Sequence, residues 1–217
     1  MKIPLIKTLR KKEYRDIASL QDEIIEILYR TENSIVLHGG TVVWRCFGGK
    51  RFSTDIDAYM TNLEIEKLKK TMISAASDYD INMKKIKDTG NLLFMVFETG
   101  ETNLKVEINH KKKGLNTTVT RFEKADGTYT DVLTLPPEDL ILEKINAYSD
   151  RRFIRDIYDI YILSSYVENP EKIREKTTEF LKNIKKPLNE NQLAALIYEG
   201  PVPSFNNMIT IIKGRLT

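Results

Sequence analysis

Cysteine occurs once in this chain of 217 residues, at Cys46, and histidine only twice. A single thiol excludes an intramolecular disulfide. With so few thiols and imidazoles, nothing has the spacing of a zinc site, and transition-metal chemistry is not expected. No apolar run approaches the roughly 20 residues that a membrane-crossing helix needs. The first residues are charged and lack the apolar stretch of a secretory leader, so the cytoplasm is the expected location, with no membrane partner. Neither sign of charge dominates: 34 basic residues face 31 acidic ones, for a net charge of +3. That balance implies no partner by itself. There is no Pro/Ser-rich linker and no repeat.

What is present is an ordinary core-forming composition, 41% hydrophobic and 30% charged, in a chain long enough to bury a substantial core. Basic residues bunch at Lys7–Arg15, Lys84–Lys87, Lys111–Lys113 and Lys182–Lys186. Each bunch reads either as a solvated face or as a footprint for a polyanion.

Apolar spacing predicts a helix over Lys7–Arg30, a short buried strand at Ile35–Leu37, a helix over Thr41–Phe47 and a second strand at Asp55–Tyr59. An amphipathic helix follows at Leu63–Ala76. Strands are expected at Ile81–Ile86, Leu92–Phe97 and Leu104–Ile108, with turns at Thr89-Gly90-Asn91 and Thr99-Gly100-Glu101. Lys111–Asp126 is polar and reads as a loop, with one more strand at Tyr129–Leu133. From Pro137 onward the chain reads as helix: Glu138–Ser149, Arg152–Ser165, Pro170–Ile184, Asn189–Glu199 and Asn206–Arg215. The expected fold class is α+β, with a mixed β-sheet lobe and flanking helices over residues 1–135 and an all-helical lobe over 136–217.

The stretch Ser34–Tyr59 organises the rest. An apolar run ends at Gly39-Gly40, where missing side chains let backbone N–H groups approach a phosphate. Asp55 and Asp57 are two apart on a strand and point to one face. Paired carboxylates suit a divalent metal. Their competing reading is a pair of solvated carboxylates on an edge strand. A two-metal site needs a third carboxylate. Glu107, between Val106 and Ile108, is the best placed; Glu98 and Glu101 are rivals at a turn. Ser53 shares the aspartates' face and could bond a phosphate or a metal-bound water. Arg51 could meet triphosphate charge, and turn solvation would explain either residue as well. Lys144 lies on an apolar helix face with Leu140, Ile141, Ala147 and Tyr148, so it must snorkel or meet an anion. Arg152 with Asp156 and Arg155 with Asp159 have i,i+4 spacing for helix ion pairs, yet the rest of that helix, Phe153 to Leu163, is nearly all apolar, so it is expected to be buried and these charges to meet something beyond each other. His38 reads as a packing residue and Trp44 as core.

The run His-Gly-Gly-Thr followed by Arg-Phe-Ser-Thr-Asp-Ile-Asp-Ala-Tyr resembles the opening motif of the nucleotidyltransferase superfamily, in the form seen in AbiEii-type toxins of type IV toxin–antitoxin systems. Lys105-Val-Glu107-Ile resembles the second motif. Leu135-Pro-Pro-Glu-Asp-Leu-Ile-Leu-Glu-Lys144, with Arg151 and Arg155-Asp156-Ile-Tyr-Asp159, resembles the third. The resemblance spans Ile35 to Leu163. It implies a nucleotidyltransferase fold and transfer of a nucleoside monophosphate from an NTP, with Mg²⁺, as two ions, and release of pyrophosphate. Gly39, Gly40 and Ser53 would hold the triphosphate and Asp55 and Asp57 the metals. Glu107 would be the third ligand or the base for the acceptor hydroxyl. Lys144 would contact triphosphate, with Asp156 and Asp159 orienting Lys144 and Arg151 or acting in proton transfer. The implied acceptor is tRNA or another RNA, and a toxin implies a cognate antitoxin. A GTP-binding regulator without transfer, or an enzyme acting on a small molecule or protein hydroxyl, are the alternatives. The complete site is expected in a cleft between the lobes.

Overall fold

A computed structural model describes residues 3–60, 65–110 and 114–217. The Lys111–Lys113 bunch, and Leu63 of the expected helix, lie outside the described residues. The chain forms two compact units: Met1–Cys46 with Ser53–Thr134, and Phe47–Phe52 with Leu135–Thr217. Among the described residues no helix is long and apolar enough to cross a membrane.

The first unit is built on a mixed sheet of seven strands. These are β1 (Val36–His38), β2 (Asp55–Met60), β3 (Asn82–Asp88), β4 (Leu92–Thr99), β5 (Thr102–His110), β6 (Thr118–Glu123) and β7 (Tyr129–Thr134), in the spatial order β3-β4-β5-β2-β1-β7-β6. β2 runs parallel to β5 and β1 parallel to β7; the other pairs are antiparallel. Alternation of side chains across the pleat sends Ile56, Ala58 and Met60 of β2, and Leu104, Val106 and Ile108 of β5, into the core. At roughly 1.5–3 kcal/mol for each large apolar side chain buried, this alternation fixes which face of the sheet is left for polar residues.

Among the described residues this unit carries the helices α1 (Leu5–Thr8), α2 (Lys12–Thr31), α3 (Gly39–Arg45) and α4 (Ile65–Asp78). The single helix expected over Lys7–Arg30 is therefore two, separated where Leu9 turns inward. Arg15 holds the break by donating to the carbonyls of Leu9 and Arg10, at 3.0 and 3.1 Å. The helix expected from Thr41 starts two residues earlier, at the glycines themselves. The polar segment expected to be a loop contains β6. As an outer strand of the sheet, β6 buries one apolar side chain, Phe122, while Val119 stays exposed. The hydrophobic alternation is correspondingly faint.

The second unit carries α5 (Pro137–Arg151), α6 (Ile154–Leu163), α7 (Arg174–Lys182), α8 (Leu193–Leu196) and α9 (Phe205–Leu216), with single 3₁₀ turns before α7 and α8. Pro137 opens α5, with Glu138 and Asp139 in its first turn, as the helix dipole favours. Arg152 ends α5 with a left-handed φ of 51°. α6 packs on α5 and α9. The helix expected over Asn189–Glu199 stops at Leu196 because the next residues are extended. There Ile197 bridges Arg51, the Phe52 N–H donates to the Leu196 carbonyl at 3.0 Å, and the Tyr198 N–H donates to the Lys50 carbonyl at 3.1 Å. This small ladder places Phe47–Phe52 in the helical unit.

Candidate active site

The polar face of the sheet gathers the carboxylates. Asp57 on β2 lies directly opposite Glu107 on β5, and Asp55 opposite Lys105. In-register neighbours on parallel strands share a face, so Asp55, Asp57 and Glu107 project to one side, and all three are partly buried. Burial, together with the charges of Asp57 and Asp55, holds the Glu107 carboxyl above its ordinary range; Lys105 and His38 act in the other direction. Neither rival is placed this way. Glu98 lies on β4, held by Lys84 at 2.8 Å, and Glu101 sits in the turn that follows.

The glycine turn packs against the same carboxylates. Gly39 has a φ of +77°, and a Cβ there would lie 2.9 Å from the Asp57 Cβ and overlap the Asp57 carboxylate. Only glycine satisfies both constraints. Gly40 follows it, buried in the first turn of α3. Thr41 bonds the Asp55 carbonyl, and Gln21 from α2 donates to the Ser53 carbonyl at 3.0 Å, which fixes the entry to β2. His38 faces Asp57 across β1 and stacks on Tyr59, ring centres 3.9 Å apart and 3° from parallel. Trp44 is core.

The donor chemistry of Asp55, Asp57 and Glu107 fits a hard divalent cation: three oxygen donors whose mutual repulsion a cation would relieve. Among the described residues, however, no group of three His, Cys, Asp or Glu side chains is arranged so that it could hold a metal ion as it stands.

The second unit holds a separate charged cluster. The Arg51 guanidinium donates twice to the Asp159 carboxylate, at 2.9 and 2.8 Å, and Lys144 Nζ reaches the same carboxylate at 2.7 Å. All three side chains are buried. Burial works to raise the Asp159 carboxyl, but the two cations outweigh it and hold it below its usual range. Arg151 donates twice to buried Asp156, at 2.9 and 2.7 Å. The i,i+4 pairs expected for these aspartates are thus replaced. Arg152 has left the helix at its left-handed turn, and Asp159 turns instead to Arg51 and Lys144. Two cations share one carboxylate at Asp159, which leaves the trio with net positive charge. Arg155 stays partly exposed near the Phe153 ring; burial and repulsion by Arg151 and Arg51 lower its pKa.

The pairing of Arg45 with Asp22 gave no sequence signal. Arg45 is buried, donates to the Glu123 carbonyl at 2.6 Å and meets the Asp22 carboxylate. Only the apolar setting of an arginine in a short helix could have hinted at it.

The family model for "Nucleotidyl transferase AbiEii toxin, Type IV TA system" matches residues 26–204. The chain belongs to the AbiEii nucleotidyltransferase toxin family. Two solved structures from Helicobacter pylori are similar in fold. The protein JHP933 is 19% identical with a TM-score of 0.64, over 95% of this chain and 91% of its own. A candidate nucleotidyltransferase is 18% identical with a TM-score of 0.66, over 95% and 94%. A search of curated proteins gives no match. As an AbiEii family member the chain is a nucleotidyltransferase, and its mixed sheet with helices is the α+β fold of that class.

Proposed function

We propose that this protein transfers a nucleoside monophosphate from an NTP to the end of a tRNA or another RNA, using Mg²⁺ and releasing pyrophosphate. It would act in the cytoplasm as a toxin with a cognate antitoxin. The observation that carries this reading is the placement of Glu107 opposite Asp57, with Asp55 two residues away and Gly39 packed on the Asp57 carboxylate.

In this reading Asp55, Asp57 and Glu107 hold the metal, and Gly39, Gly40 and Ser53 hold phosphate oxygens. A bound divalent ion would neutralise triphosphate charge and polarise the acceptor hydroxyl. The acceptor oxygen forms a bond to the α-phosphorus, the bond to the β-phosphate oxygen breaks, and pyrophosphate leaves. Glu107, where it does not serve as the third ligand, is the base that accepts the hydroxyl proton. For the helical unit we propose that Lys144, oriented by Asp159, and Arg151, oriented by Asp156, offer charge to nucleotide phosphate.

Incubation with each labelled NTP, Mg²⁺ and total tRNA tests this. The expected result is label on RNA, abolished by Asp57→Ala. No label under any condition, with wild type and Asp57→Ala alike, overturns it. If NTP binding then persists and is weakened by Asp55→Ala, the protein is a nucleotide-binding regulator.

A further inference from the structure

Side chains on the polar face of the sheet line up in rows across the strands. One row runs Asp57, Glu107, Phe94 and Lys87, each directly opposite the next on β2, β5, β4 and β3. The row beside it runs Asp55, Lys105, Val96 and Lys85. Strands lie about 4.8 Å apart, so Lys87 at the sheet edge is about 14 Å from Asp57. The carboxylates therefore stand at one end of a track whose other end is basic.

The chemistry of the track is that of a polyanion with stacking bases. Lys85, Lys87 and Lys105 are exposed, and Phe94 is half-buried among them with Lys85 Nζ 5.6 Å from its ring centre. The outlying carboxylate on this face, Glu98, is neutralised by Lys84 at 2.8 Å. Lysines on an edge strand also deter pairing with other sheets. That accounts for β3, but not for Lys105 and Phe94, which lie on interior strands. A cationic groove with an accessible ring is how proteins hold single strands: phosphates meet ammonium groups and a base stacks on the aromatic.

We infer that the face formed by β3, β4 and β5 is the docking platform for the single-stranded end of the RNA acceptor. It leads the terminal hydroxyl inward along the Lys87–Phe94–Glu107 row. The nature of the occupant rests on the transferase reading; the platform rests on charge and exposure.

Fluorescence anisotropy with a labelled 12-nucleotide single-stranded RNA tests it on the full chain. Wild type is expected to bind the RNA, more tightly than a duplex or DNA of the same sequence. Lys85→Glu with Lys87→Glu weakens binding about tenfold or more, and Phe94→Leu weakens it about fivefold. The slope of log affinity against log salt falls by about 0.7 for each lysine removed. Binding of a fluorescent NTP stays unchanged in all of these variants, which also reports that they are folded. Unchanged RNA affinity in both variants overturns the platform. So does a loss confined to Lys182→Gln with Lys186→Gln, tighter binding of DNA or duplex, or no RNA binding by wild type. Pyrophosphate release that Asp57→Ala abolishes, in a protein that fails these binding tests, overturns the platform and leaves the transferase reading intact. RNA binding lost in the variants, without transfer of any NTP, supports the platform and removes the transferase reading.

Discussion

The backbone of Gly39 lies so close to the Asp57 carboxylate that a methyl group at residue 39 would occupy the same space. Gly39→Ala therefore combines two penalties: a left-handed backbone at about 1–2 kcal/mol and displacement of a proposed metal-holding carboxylate. Gly90 has a similar φ, +80°, with nothing within 4 Å of the added Cβ. Both alanine variants are expected to lose stability in thermal melts, Gly39→Ala more than Gly90→Ala, because only its Cβ meets another side chain. Only Gly39→Ala is expected to lose nucleotidyl transfer, by about a hundredfold or more.

Glu107 and Glu101 provide a second contrast. Glu107→Gln keeps the shape of the side chain opposite Asp57 but removes its charge. Transfer is expected to fall about a hundredfold or more, and Mn²⁺ binding followed by electron paramagnetic resonance is expected to weaken. Glu101→Gln, in the turn after β4, is expected to change neither by more than about twofold. A chelator is expected to stop transfer, and added Mg²⁺ or Mn²⁺ to restore it.

Asp159→Asn leaves Arg51 and Lys144 buried without their counter-charge. The expected loss is about 3–5 kcal/mol of unfolding free energy at neutral pH, read by urea denaturation. The sign with pH follows from the depressed carboxyl of Asp159. Above its unfolded value, near 3.9, the ionised group stabilises the fold, and that contribution fades as pH falls through the lower folded value. Wild type is therefore expected to lose more stability than Asp159→Asn on acidification below about pH 4.

Arg45→Met tests the buried pair in the first unit. It leaves the Asp22 carboxylate, which also accepts from the Ala125 N–H at 2.6 Å, without its cation. Destabilisation of about 3 kcal/mol or more is expected. The double variant with Asp22→Leu is expected to recover part of it, because no lone buried charge remains.

β2, β4 and β5 are legible in the sequence, β2 and β5 by alternation of apolar and polar residues and β4 as the apolar run Leu92–Phe97, and the glycine pair and Asp55-Ile56-Asp57 are equally local signals. Glu107 could be nominated from its strand, but only the parallel register with β2 shows that it faces Asp57. β6 is hard to read from the sequence because its one buried phenylalanine, Phe122, is a weak signal. The partners of Asp156 and Asp159 are half legible: the apolar helix around them implies partners beyond the i,i+4 arginines without saying which ones. Helix spacing proposes nearest partners, and those failed where Arg152 adopts a left-handed turn and where Arg51 arrives from 108 residues away. Charge networks assembled across the chain leave no periodic trace.

The short ladder of Lys50–Phe52 with Leu196–Tyr198 also bears on inheritance. The chain leaves the first unit after Cys46, returns at Ser53 and leaves again after Thr134. A fragment beginning at Leu135 would keep Lys144 and Asp159 yet lack Arg51. The complementary fragment would carry a hexapeptide cut off from its hydrogen-bond partners. The two units are thus poor currency for gene shuffling. Sheet and helices must be inherited together, and a split protein is expected to regain function only when both pieces are produced in the same cell.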